Sequence, residues 1–173
     1  MLTKEDGSIV EDADTFCDIA DVETYATRYG FTFSAQPLEQ EQAILRAMIY
    51  MESLEGFFYG SRVSASQELS WPRSYVPNAL NNGYLPNDEI PKGVKNALSE
   101  AAIAELSSPG SLTATVSHAS SQVKRTRDKL GPMETEIEYF GAVSLDAKTH
   151  TRILEHLRPY FRTGKSRYSV RGH

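Results

Sequence analysis

The sequence predicts a mainly α fold: a small helical bundle with a long proline-rich loop, short β-strands or extended arms, and a flexible C-terminal tail. Three observations carry that expectation. Apolar residues recur at i, i+3 and i+4 along residues 37–58 and again along 92–106, the spacing of a single buried helix face. Between them, Gln67 to Lys92 holds the only tryptophan and four of the eight prolines, Pro72, Pro77, Pro86 and Pro91, so no helix can run through it. From Ser111 the pattern changes to alternation rich in β-branched residues.

At 173 residues, 40% hydrophobic and 24% charged with a net charge of −5, the chain suits one domain over 1–173 with a real core. The helical core is expected over about 19–161 and a docking tail over about 162–173. The N-terminal lead carries Glu5, Asp6, Glu11, Asp12, Asp14, Asp18, Asp21 and Glu23 against Lys4 alone, so it is no signal peptide and is expected to be a solvated end. Asp21 suits the N-cap, and Gly30 the stop, of a short helix with Val22, Tyr25, Ala26 and Tyr29 on one face. The second helix should begin at Pro37-Leu38, with Glu39 and Glu41 favouring its dipole, and reach about Phe58. Its stripe of Ala43, Ile44, Ala47, Met48, Met51, Leu54 and Phe58 reads as core, not as a cofactor site.

Prolines push the preceding Trp71, Val76, Leu85 and Ile90 into extended backbone. With Tyr75, Leu80 and Tyr84 added, the loop is too apolar for a solvated linker, so it should be ordered, with Trp71 as a buried anchor whose indole N–H needs an acceptor. Whether it packs only on its own domain or also touches a second subunit stays open. The third helix is expected from Lys92, with Pro91 at its first position, to about Leu106, turning Val94, Ala97, Leu98, Ala101, Ala102 and Leu106 inward. Strands or arms follow at 111–116, 122–126 and 135–140 with Gly131-Pro132 as a turn, and the polar, basic stretch 117–131 suits a protruding hairpin. A last helix should span about Ala147 to Phe161 with Ile153, Leu154, Leu157 and Tyr160 on its apolar face.

Sequence signals for chemistry are absent. No Gly-rich phosphate loop, HExxH or G-x-S-x-G occurs, and His150 and His156 are six apart, off a common helix face, so no catalytic residue, metal or cofactor is expected and the chain is read as no enzyme. A lone Cys17 excludes an internal disulfide and a cysteine zinc site within one chain. No apolar run has the length of a membrane span, so an intracellular soluble protein is the default. Lys124, Arg125, Arg127 and Lys129 form a basic cluster for DNA or a protein partner; without interleaved aromatics, a solvated hairpin or protein contact is the favoured role.

The order of a long helix ending in FFYGSR, then QELSWPR, a proline-rich loop, EIPKGVKNALSEAAIAE, GPMETEIEYF and ILEHLRPYF resembles the head-to-tail connector proteins of tailed bacteriophages. These adaptor or head-completion proteins sit beneath the portal, and members with this Trp-Pro-Arg pattern are often labelled DnaT-like single-stranded DNA-binding proteins. The resemblance covers roughly Ile19 to Phe161 and is most specific at Gln67–Arg73 and Ile90–Glu105; the N-terminal arm and Ser111–Leu130 lie outside it. It implies a structural virion protein of the neck, assembled in the bacterial host cytoplasm as a ring, commonly a dodecamer, around the DNA channel. Its partners would be further copies of itself, the portal protein, a tail-terminator or tail-completion protein, and DNA passing without sequence-specific binding. Trp71, Pro72, Arg73 and Tyr75 are then the candidate loop anchor and subunit contact, and Arg162, Lys165, Arg167, Tyr168 and Arg171 the candidate portal-docking tail. The alternative is a single-stranded DNA-binding protein using Lys124, Arg125, Arg127 and Lys129.

Overall fold

The computed structural model describes residues 2–78, 82–112, 123–127, 136–139 and 147–162. The chain is mainly α. Among the described residues there are four helices, α1 (Ile19–Tyr29), α2 (Pro37–Ser53), α3 (Lys92–Ser107) and α4 (Ala147–Leu157), and two antiparallel pairs, β1 (Ser61–Arg62) with β2 (Arg73–Ser74) and β3 (Val123–Arg127) with β4 (Glu136–Tyr139). α3 is central, packing against α2, α4 and α1. Its Ala97, Ala101 and Ala102, and Ala43 and Ala47 of α2, are fully buried, and these small side chains let the helices approach closely. Gly93 does the same for α4, since a Cβ there would lie 2.8 Å from the carbonyl oxygen of His156 and from the Tyr160 ring.

The N-cap of α1 is Asp18, not Asp21. The Asp18 carboxylate accepts from the Asp21 N–H at 2.9 Å and the Asp21 carboxylate accepts from the Asp18 N–H at 3.1 Å, a reciprocal box that draws Ile19 and Ala20 into the helix. Gly30, at φ 74°, closes it as expected. Lys4 donates to both aspartates, at 2.7 and 3.0 Å, so the acidic lead is tied to α1 instead of trailing in solvent. Glu5 is buried there because the Gly7, Ile9 and Val10 N–H groups all donate to its carboxylate. Ala13, Phe16 and Cys17 belong to the core, and burial pushes the Cys17 thiol up to about 12, leaving it un-ionised.

α2 starts at Pro37 as expected but ends at Ser53. There the Ser53 hydroxyl donates to the Tyr50 carbonyl at 2.6 Å and the Leu54 N–H reaches back to Met51, tightening the chain into a 3₁₀ turn over Glu55–Phe57. Phe58 is therefore extended, yet remains fully buried. Pro91 caps α3 from outside, and Leu106 is only partly buried, whereas the polar Ser99, Glu100 and Glu105 are interior.

Ser111 and Leu112 lie in a turn and not in a strand, because the N–H groups of Gly110 and Leu112 both donate to the Glu105 carboxylate at 2.8 Å. The rest of that expected strand, the Gly131-Pro132 turn and the tail beyond Arg162 lie outside the described residues. β3 and β4 fall where the second and third strands were expected. α4 tightens into a 3₁₀ turn at Arg158–Tyr160, where Pro159 sits, and buries Ile153 and Leu157 completely. Among the described residues no helix is long and apolar enough to cross a membrane.

Glu105 also accepts from Arg46 Nε at 2.9 Å, so one buried carboxylate serves α2, the end of α3 and the following turn. Replacing Glu105 by Ala leaves the Gly110 and Leu112 amides without their acceptor, and should cost about 2–4 kcal/mol in urea denaturation. An unmoved midpoint would contradict this role.

Candidate functional site

The QELSWPR segment builds a knot, and its residues face inward. Gln67, Ser70, Trp71, Pro72 and Arg73 are all buried. Gln67 accepts from the Ser64 N–H and donates to the Leu69 and Pro72 carbonyls, fixing a tight turn. Ser70 donates its N–H and hydroxyl to Glu52 of α2, while burial raises the carboxyl of that glutamate above its ordinary range. Trp71 is the expected anchor, with Phe58 and Tyr160 both edge-on to it at 5.6 Å. Its indole N–H finds no acceptor among the described residues.

Arg73 reaches four acceptors. Nε donates to the Tyr59 carbonyl at 2.8 Å, Nη2 to Gly60 at 3.0 Å, and Nη1 to Ser70 at 3.1 Å and to the Glu55 carboxylate at 3.4 Å. Burial weakens its hold on its proton and Glu55 opposes that effect. Glu55 is also gripped by Arg62 through two bonds, at 2.7 and 2.8 Å, which hold its carboxyl below the usual range. Of the candidate loop-anchor and subunit-contact residues, Trp71, Pro72 and Arg73 are buried in their own chain and Tyr75 reaches the surface.

Tyr75 stands 70% exposed at φ 60°, a backbone region that costs a side chain energy, and crosses the 64% exposed Tyr84 ring at 89° with centroids 5.7 Å apart. Backbone bonds from Leu85 to Val76, at 2.9 Å, and from Asn78 to Gly83, at 2.8 Å, hold the two arms of this loop together. Phe57 is another exposed aromatic. Along α2, Leu38, Leu45 and Ile49 are exposed at spacings of seven and four residues, forming a second apolar line on the face away from α3. The sequence reading passed over Leu45, Ile49, Phe57 and the pairing of Tyr84. The signal for the α2 line was present as a second apolar phase on the helix.

A cleft of about 460 Å³ opens between α1 and α4, lined by Tyr25, Tyr29, Phe31, Glu100, Arg152, Glu155 and His156. The Tyr25 hydroxyl donates to Glu100 Oε1 at 2.8 Å; its only proton is thereby used, so His156 Nε2 at 3.2 Å must be the donor to the same oxygen. Arg152 contacts Glu100 Oε2 at 3.3 Å and lies over the Phe31 ring at 4.8 Å. Burial first, then Glu100, raises the Tyr25 hydroxyl far above its ordinary value. His156, considered from sequence only as a metal ligand, serves this network. Among the described residues no cluster of His, Cys, Asp and Glu could hold a metal ion.

Of the basic cluster, Lys124, Arg125 and Arg127 lie on β3 and Lys129 lies outside the described residues. The register sets Arg125 opposite Glu138 and Arg127 opposite Glu136. Of the tail candidates, Arg162 is exposed and bonds the Phe57 and Gly60 carbonyls through its N–H and Nη2, whereas Lys165, Arg167, Tyr168 and Arg171 lie outside the described residues.

A family profile described as "Putative DnaT-like ssDNA binding protein" matches residues 1–172, and the chain belongs to that family. No curated protein matches the chain, and no solved structure does.

Two outcomes follow from the knot. Trp71→Ala should cost about 3–5 kcal/mol in urea denaturation, and an unchanged midpoint would reject the anchor. Because the folded carboxyl of Glu55 titrates below its ordinary value of 4.5, its pairing stabilises the fold fully above that pH and is lost as pH falls through the lowered value. Urea midpoints measured from about pH 6 to about pH 3 should therefore fall less steeply for Glu55→Gln than for wild type. Equal slopes would remove Glu55 from the acid response.

Proposed function

We propose that the protein binds single-stranded DNA and that Tyr75 and Tyr84 form its stacking platform. One observation carries this. Two tyrosine rings are held out in solvent by a loop whose base is locked by Arg73 and Trp71, and every base offers a π-face to such a ring. The family description names the same ligand class and favours this reading over a ring adaptor. The basic cluster of Lys124, Arg125, Arg127 and Lys129, the first three on β3, is the natural source of phosphate contacts. Since the register sets Glu138 and Glu136 opposite its two arginines, its electrostatic contribution should be modest and the salt dependence shallower than four free cations would give.

A second reading is favoured by the exposed line of Leu38, Leu45 and Ile49, which suits a protein–protein interface. In it the chain is a structural, non-catalytic adaptor of the phage neck, assembled as a ring on the portal beneath the head. The tail from Arg162 docks on the portal, a tail-completion protein follows, and DNA passes through the channel. Negative-stain images of the protein mixed with its cognate portal protein would then show a ring stacked coaxially.

Under the DNA-binding assignment, replacing Tyr75 and Tyr84 together by Ala should weaken binding of a fluorescent oligonucleotide by about tenfold or more, since stacking is worth roughly 1–3 kcal/mol per base. Anisotropy titrations in which the double variant matches wild type would remove the platform.

A further inference from the structure

We propose that the cleft between α1 and α4 is a pocket for one unpaired nucleobase carrying an exocyclic amino group, cytosine, adenine or guanine, and that it discriminates against thymine; this rests on the single-stranded DNA reading above. The cleft, at about 460 Å³, falls in the lower part of the range of small-ligand pockets, fitting one nucleotide and not a stacked run. Its lining brings together three kinds of group that a nucleotide needs. Tyr29, half exposed, supplies a flat face for the base, while Phe31 carries the Arg152 guanidinium.

Arg152 supplies the cation. Its side chain is 52% exposed, one face of its guanidinium lies over Phe31, and Glu100 fixes one edge, leaving further N–H groups for a phosphate oxygen. Glu100 is itself held from the other side by Tyr25, whose oxygen is held by His156, so the guanidinium is positioned by residues of α1, α3 and α4 before any ligand arrives.

The carboxylates decide which base. Glu100 has both oxygens committed, Oε1 to Tyr25 and Oε2 to Arg152. Glu155 lines the same cleft from the exposed side of α4 and can only accept hydrogen bonds. An exocyclic amino group of cytosine, adenine or guanine donates to such a carboxylate, as the cytosine amino group does to Glu or Asp in groove recognition, whereas thymine would set its O4 acceptor against it. Like-polarity contact at that edge is the source of the discrimination.

Anisotropy titrations of the full chain with fluorescent oligo(dC) and oligo(dT), at low and physiological salt, test this. Wild type should bind oligo(dC) several-fold more tightly than oligo(dT). Glu155→Met removes the acceptor and should bring the two affinities within about twofold; losing a negative charge raises both together, so their ratio is the readout. Tyr29→Ala, at a half-exposed position, should weaken both oligonucleotides by about tenfold. If the preference survives in Glu155→Met, or Tyr29→Ala binds as wild type while the Tyr75 and Tyr84 variant loses affinity, the pocket is wrong and DNA binding stands. If wild type binds neither oligonucleotide, the DNA-binding reading fails and the pocket falls with it.

Discussion

A buried guanidinium sets the path of the chain. Removing a charge from water costs several kcal/mol unless its hydrogen bonds are replaced, and Arg73 has them replaced by carbonyls of Tyr59, Gly60 and Ser70 and by Glu55. Those acceptors come from the end of the α2 segment, the turn into β1 and the turn before β2. They can converge only if the loop folds back on itself. Gly60 takes part because its φ of 71° and its approach to the Ser74 carbonyl leave no room for a side chain. The same Gly60 carbonyl accepts from Arg162, and the Tyr59 N–H donates to Tyr160, so the end of α4 is tied to the knot as well. Tyr75, two residues beyond Arg73, is thereby fixed at the surface.

A second polar network works on the opposite principle. Glu100 is interior on α3, but its partners, Tyr25 and Arg152, sit at the mouth of a cleft, with His156 one bond further out. The Arg73 knot uses its hydrogen bonds to close the chain on itself, whereas this network holds an arginine in reach of solvent beside the half-exposed Tyr29 ring. Rigid polar groups at a surface opening suit binding more than stability. This is why the cleft, and not the better buried knot, is assigned a ligand.

Much of the fold was legible in the sequence, for physical reasons that also mark where it was not. Apolar spacing placed α2 and α3 and most of their buried residues, and proline density marked the loop, since both signals act along the chain. The N-cap of α1 was misplaced because Asp18 and Asp21 are both good caps and Lys4, fourteen residues upstream of Asp18, joins the two. α2 was drawn too long because Phe58 continues its apolar phase while the bonds of the Ser53 hydroxyl and the Leu54 N–H end the helix. Trp71 was found as an anchor because it is a lone tryptophan among prolines. Its neighbours Pro72 and Arg73 looked available for contacts, since sequence does not show that the carbonyls of Tyr59 and Gly60, fourteen and thirteen residues away, await the guanidinium. The Tyr25, Glu100, Arg152 and His156 network spans residues up to 131 apart and leaves no local pattern.

The family description and the exposed Tyr75 and Tyr84 rings support the proposed binding of unpaired DNA, while the apolar line on α2 supports self-assembly as the competing account. Native mass spectrometry of the full chain, alone and with an unlabelled single-stranded oligonucleotide, separates them in one experiment. Binding of DNA as the primary activity predicts a free chain of low copy number that gains the mass of the oligonucleotide. A large closed ring that forms without DNA and takes up none would contradict it.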